Sequence, residues 1–170
     1  MKILIVYDSV YGNTAKIAKA VAAELERDNQ VTVITVGEAS GRDLSRTELL
    51  VIGSPTRGFH PTPNISEYIA GLTDVREGMT AAVFDTRLDL ETISPPPLRW
   101  VVEVGGYAAT RMAAGLRSHG IGMRGELGAF LVTGTEGPLK DGELERARGW
   151  GRSLLENHAS TAGVHASKTH

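Results

Sequence analysis

The sequence predicts an α/β protein: one parallel sheet with helices on both faces. Three observations predict it. Short, apolar, β-branched runs recur along the chain. Amphipathic stretches with apolar residues four apart lie between them. The connections are also too long for hairpins, so successive strands must cross over and run parallel. With 170 residues and 41% hydrophobic content, the chain is sized for one domain with an ample core.

Lys2 to Ser9, KILIVYDS, reads as the first buried strand. Thr14 to Arg27 reads as a helix. Its Ile17, Val21 and Leu25 line one face, and Lys16, Lys19, Glu24 and Glu26 point elsewhere. QVTVITV is the second strand, and GEASGRDLSRTE after it reads as a loop. LLVIGS is the third strand, ending at Ser54-Pro55. Asn64 to Leu72 is the next helix, with Ile65, Tyr68, Ile69 and Leu72 inward. MTAAVFD is the fourth strand. Thr86 to Val104 has no clear period and holds Pro95-Pro96-Pro97 and Trp100, which marks a long functional loop. Tyr107 to Ser118 is helical, with Met112 and Leu116 inward, and GAFLVTG is the fifth strand. Asp141 is placed to cap the last helix, with Glu143 and Glu145 in its first turn and Leu144, Ala147, Trp150 and Leu154 inward. The folded domain is expected over 1–157, with 158–170 a small, polar, disordered tail.

Composition excludes several chemistries. Cysteine is absent, which removes disulfides, thiol catalysis and thiolate metal sites. The histidines lack ligand spacing, so no metal site is expected, and His60 alone is placed to reach a substrate. A net charge of −2 gives no field to draw nucleic acid or a membrane surface. The short N-terminal apolar run is neither a signal peptide nor a span, so a cytoplasmic location and no membrane insertion are expected.

Ligands of parallel sheets sit outside the carboxyl ends of the strands. The first, third and fourth strands end in DSVYGNT, GSPTRGF and FDTR, so these loops share one edge. In the first, Ser9, Tyr11, Asn13 and Thr14 are donors at a helix N-terminus, and Gly12 lets a ligand approach the backbone. No GxxxxGK[ST] occurs and the turn has no lysine, so this is a neutral cradle for a terminal phosphate without magnesium. Alone, the turn is equally a capped helix start. Three shaped loops at one edge together describe a mononucleotide site. GIGMRG, which matches GxGxxG by letters, follows a helix and precedes a strand, the reverse of the dinucleotide context. It reads as a helix-ending glycine and turn.

The chain resembles the flavodoxin-like proteins. SVYGNTAKIA is similar to their phosphate-loop signature, [ST]-x-x-G-x-T, VIGSPTRGF to their second flavin-contacting loop, and FLVTGTEGPLKDGELERARGWG to their last strand and helix. The resemblance covers residues 1–157. It implies a flavodoxin-like three-layer sandwich with a five-stranded parallel sheet of order 2-1-3-4-5, and FMN as cofactor. It implies that Ser9, Val10, Tyr11, Gly12, Asn13 and Thr14 hold the phosphate, and that Pro55, Thr56, Arg57, Gly58 and Phe59 lie against the ring, with Gly58 offering a carbonyl to the flavin N5. The third loop departs from the pattern: DTRLDLETISPPPLRW intervenes before Gly105-Gly106-Tyr107. Either Asp85, Thr86 and Arg87 or Tyr107 faces the ring, with Trp100 placed to fold over it.

Some residues carry two readings. Arg57 and Arg87 are either surface partners of Asp8, Asp85 or Asp89, or cations that stabilise reduced flavin. Tyr11 and Phe59 are either ring neighbours or cover for the sheet edge. Tyr7 and Trp150 read as packing. The expected function is electron transfer through bound FMN, with no catalytic acid or base. Its partner is a redox protein or, given the near-neutral charge, a small acceptor such as a quinone. An FMN-dependent NAD(P)H- or quinone-type oxidoreductase is the alternative, and a fold that has lost its flavin is a third. A phospho-receiver domain fails because Gly53-Ser54 and Thr133-Gly134 stand where its aspartate and lysine belong. By analogy the 86–104 insertion is a candidate contact surface for a homo-oligomer.

Overall fold

The structure is a computed structural model that describes residues 1–92 and 106–156. Pro95-Pro96-Pro97, Trp100, most of the 86–104 insertion and the tail from His158 lie outside the described residues. The elements run β1 (Lys2–Tyr7), α1 (Asn13–Leu25), β2 (Gln30–Thr35), α2 (Val36–Ala39), β3 (Leu49–Pro55), α3 (Pro63–Ala70), β4 (Thr80–Leu88), α4 (Ala108–Ser118), β5 (Gly122–Met123), β6 (Gly128–Val132) and α5 (Glu143–Glu156).

Every strand pairing is parallel, in the order β2-β1-β3-β4, with β5 and β6 both on the far edge of β4. The expected order 2-1-3-4-5 is therefore present, with the fifth position filled by two consecutive pieces. β5 pairs with Thr80 and Ala81, and β6 with Phe84 to Leu88. Strand side chains alternate between faces. Leu4 and Val6 join α2, α3 and α4 in one core, while Ile3 and Ile5 join α1 and α5 in the other. Burial on both faces is why the strands read as unbroken apolar runs.

Several expectations need correction. β4 runs on through Thr86, Arg87 and Leu88, because β6 supplies ladder partners past the end of β3. Thr86 and Arg87 are therefore strand, not loop. Thr35 caps a one-turn helix within the expected loop: its hydroxyl accepts from the Glu38 N–H at 3.4 Å. Glu24 is buried between α1 and α5, paired with Arg27 at 3.5 Å and Arg152 at 3.1 Å. α5 begins at Glu143, so Gly142 (φ 88°), not Asp141, precedes its first turn. Leu144 is 40% exposed. Buried Glu143 takes the inward place instead, accepting from the Leu131 N–H at 2.7 Å, and its neighbour is turned about 100° away. Trp150 packs edge-on against Phe84 and Phe130, as expected of a packing residue.

Candidate functional site

Four strand ends frame a cleft of about 310 Å³. Ser9, Val10, Tyr11, Asn13 and Thr14 line it after β1, and Pro55, Thr56, Arg57 and Gly58 after β3. Thr86, Arg87 and Leu88 come from β4, and Val132, Gly134 and Thr135 from the end of β6. A hollow of about 360 Å³ lies elsewhere, among Arg42, Asp43, Tyr68 and Asp74. Its segments precede β3 and β4, at the opposite end of the strands from where parallel sheets bind ligands.

The first loop turns at Gly12, whose φ of 92° suits glycine; a Cβ there would meet nothing within 4 Å. The Ser9 hydroxyl accepts from the Gly12 N–H at 3.1 Å and the Ala15 N–H at 3.3 Å, which folds the loop over the helix start. Gly12, at the N-cap position, has no side chain to cap α1, so of the first-turn N–H groups Ser9 takes only that of Ala15. Among the described residues the N–H groups of Val10, Tyr11, Asn13 and Thr14 have no acceptor. Unpaired N–H groups at a helix start, where the helix dipole is positive, form an anion site. Thr14 is buried and shares a 2.8 Å hydrogen bond with the Thr86 hydroxyl. Two hydroxyls carry two protons and share one, so the other is left to donate.

The second loop is a two-residue hairpin. Arg57 and His60 exchange N–H to O bonds of 2.8 and 3.1 Å, and the residues between them, Gly58 and Phe59, have φ of 54° and 72°. Positive φ at both centres is the type I′ pattern. Phe59 is one of two non-glycine residues with positive φ among those described, a strained state. The Phe59 carbonyl accepts from the Arg111 Nε at 2.7 Å, while the Gly58 carbonyl has no donor among the described residues. Thr56 accepts from the Ala108 N–H at 2.9 Å, which joins this loop to the start of α4.

The two arginines differ in charge balance. Arg87 grips fully buried Asp85 with two bonds of 2.7 and 2.8 Å and lies 3.6 Å over the Tyr107 ring. Asp85 also accepts from the Ala109 N–H at 2.9 Å. The carboxylate therefore faces α4 and does not line the cleft. Arg57 pairs with no carboxylate among the described residues; its guanidinium lies 6.0 Å from the centre of the Tyr11 ring. Asp89 is taken by Lys140 at 3.0 Å, which holds the Lys140 ammonium above its usual pKa.

Of the predicted site residues, all but Gly12, Phe59 and Asp85 line the cleft. Gly12 shapes the turn, Phe59 forms the hairpin, and Asp85 anchors Arg87. Tyr107 stands behind Arg87 rather than on the cleft wall. Sequence reasoning missed the fourth wall, Val132, Gly134 and Thr135. The rule that picked the other three loops would have found it, since VTGTEG ends the fifth strand. Asn13 fixes this wall, donating its amide to the Glu136 carbonyl at 3.1 Å. No group of three or more His, Asp or Glu among the described residues could hold a metal.

The family model described as Flavodoxin domain matches residues 4–92. No curated protein matches the chain significantly. Among solved structures, a flavodoxin from the domain Archaea aligns over 92% of this chain and 97% of its own, at 18% identity and a TM-score of 0.67. Oxidised Flavodoxin 2 from Bacillus cereus aligns over 92% and 99%, at 20% identity and 0.66. Rubredoxin oxygen:oxidoreductase from the anaerobe Desulfovibrio gigas aligns over 97% of this chain, at 18% identity and 0.66, but this chain spans only 37% of that protein. Identities this low establish a shared fold.

Proposed function

The chain belongs to the flavodoxin domain family, and we propose that it transfers electrons through an FMN held in the four-walled cleft. One observation carries this most: the unpaired N–H groups of Val10, Tyr11, Asn13 and Thr14 at the start of α1. They match the acceptor oxygens of a terminal phosphate, and their neutrality suits an anion bound without magnesium. Thr14 would add a hydroxyl donor with its proton freed by Thr86. The cleft lies within the range of small-molecule sites. At its other end the Gly58 carbonyl, with no donor among the described residues, is the acceptor left open to a ring N–H.

When bound, FMN supplies one- and two-electron chemistry. The protein supplies position. Phe59 is held in a strained turn, and Arg87 is fixed between Asp85 and Tyr107. The partner in this reading is a redox protein or a small acceptor such as a quinone, and the protein works in the cytoplasm. No helix among the described residues is long and apolar enough to cross a membrane.

A second reading, an FMN-dependent oxidoreductase using a nicotinamide or a quinone, is favoured by exposed Arg57 at the cleft, where a charged small molecule can reach it. NADPH consumption with a quinone separates the two. The test of the cofactor is the visible absorbance spectrum before and after adding FMN. A flavin band that survives desalting is expected. A colourless protein that retains no added FMN would overturn the redox function.

A further inference from the structure

We propose that the species exchanging electrons at this cleft is a small anion, received by the Arg57 guanidinium beside the exposed face of Tyr11. This rests on the FMN function above and names the class of its partner.

Among the described residues the charges that line the cleft are Arg57 and Arg87, and no carboxylate lines it. Arg87 is neutralised by the bidentate grip of Asp85, whose carboxylate is fully buried. Arg57 has no such partner among the described residues. Among the described residues the cleft lining therefore presents one uncompensated positive charge, although the chain as a whole carries −2 and a bound FMN adds the charge of its phosphate.

Position adds to charge. The Arg57 backbone is fixed by both hydrogen bonds of the hairpin, so the base of the side chain does not wander. The guanidinium stands 6.0 Å from the centre of the Tyr11 ring, within reach of a cation–π contact. Tyr11 is 47% exposed, and Val10 beside it is 44% exposed. A cation set against open apolar surface suits a small conjugated molecule that carries a carboxylate, sulfonate or phosphate. The guanidinium fork meets the acid group and the ring covers the rest. The phosphate cradle is built from neutral N–H groups and does not require Arg57 for its own anion.

Arg57 adds a positive contribution to the local field whatever the phosphate and the rest of the chain set, so comparison with a charge-free variant makes the idea testable before any natural partner is known. Screening acts over about 10 Å at 0.1 M ionic strength. The FMN-loaded protein would be photoreduced and mixed in a stopped-flow device with ferricyanide, an anion, or hexaammineruthenium(III), a cation. Reoxidation of the two-electron-reduced cofactor consumes two oxidant ions, each gaining one electron, and releases the protons taken up on reduction. Arg57→Gln should slow the ferricyanide reaction about threefold to tenfold at low salt, and that gap should close as salt is added. With hexaammineruthenium the order should reverse, the variant being the faster at low salt. Arg57→Lys should stay close to the wild type with both oxidants.

A ferricyanide rate at low salt that is the same in Arg57→Gln as in the wild type would overturn the proposal. So would an Arg57→Gln variant that loses FMN but keeps the wild-type salt dependence on reloading, since Arg57 would then serve the phosphate. A wild-type chain that holds no FMN overturns the parent function as well, and does so in the absorbance spectrum, before any kinetics.

Discussion

Replacing Thr14 and Thr86 with valine, singly and together, separates what holds the loop from what would hold the cofactor. The two hydroxyls share one buried hydrogen bond of 2.8 Å between the start of α1 and the end of β4. Removing either partner strands the other hydroxyl in a buried place, at a cost of about 1–3 kcal/mol. Removing both leaves two apolar groups of matching shape, and most of that cost returns. The double variant should therefore unfold in urea near the wild-type midpoint, while each single variant unfolds earlier. FMN affinity should follow a different pattern. Thr86→Val leaves the Thr14 hydroxyl free to donate, so its affinity should stay near wild type. Thr14→Val removes a donor to a charged phosphate, worth about 1.5–3 kcal/mol, or roughly tenfold to a hundredfold in Kd. The double variant should be stable yet bind FMN as poorly as Thr14→Val. Fluorescence titration of FMN against each variant reads this directly. A double variant that binds at wild-type strength would refute the assignment of Thr14 to the phosphate.

Gly53→Ala should destabilise the fold by about 3 kcal/mol or prevent it, because the new Cβ would lie 2.1 Å from the Phe84 ring across the strand pair; thermal melts would show it. Phe59→Asn should stabilise the FMN-free protein by about 1 kcal/mol, since asparagine accepts positive φ more readily; an unchanged urea midpoint would remove strain from the account of this turn. Glu143→Gln should cost about 2 kcal/mol at neutral pH. Burial alone would raise the Glu143 pKa, but the bonds from Arg146 and the Leu131 N–H outweigh it and hold the group below its ordinary 4.5. A lowered folded pKa gives stability that is present above 4.5 and lost as pH falls through the folded value. The gap between wild type and Glu143→Gln should therefore close in acid, and a gap that persists there would contradict the pairing.

Much of this protein is local in origin and could be read from residue order. Ile3, Leu4, Ile5 and Val6 form an unbroken apolar run because both faces of a parallel strand are covered, and Ile17, Val21 and Leu25 recur at the helical period because one face is. The SVYGNT turn is legible because Gly12 and its neighbours set the chain direction and donors by themselves. What the tertiary structure decided depends on partners far away in sequence. β4 extends through Arg87 because β6 pairs there, more than forty residues on. Asp85 stays off the cleft wall and neutralises Arg87 because α4 offers it the Ala109 N–H. Glu24 is buried because Arg152 of α5 reaches across to it. The wall at Gly134 and Thr135 stands where it does because Asn13, 123 residues away from Glu136, holds that loop. Periodicity reports which face of an element is covered. Only the assembled fold decides which charge meets which, and so which of the two arginines at the cleft is neutralised.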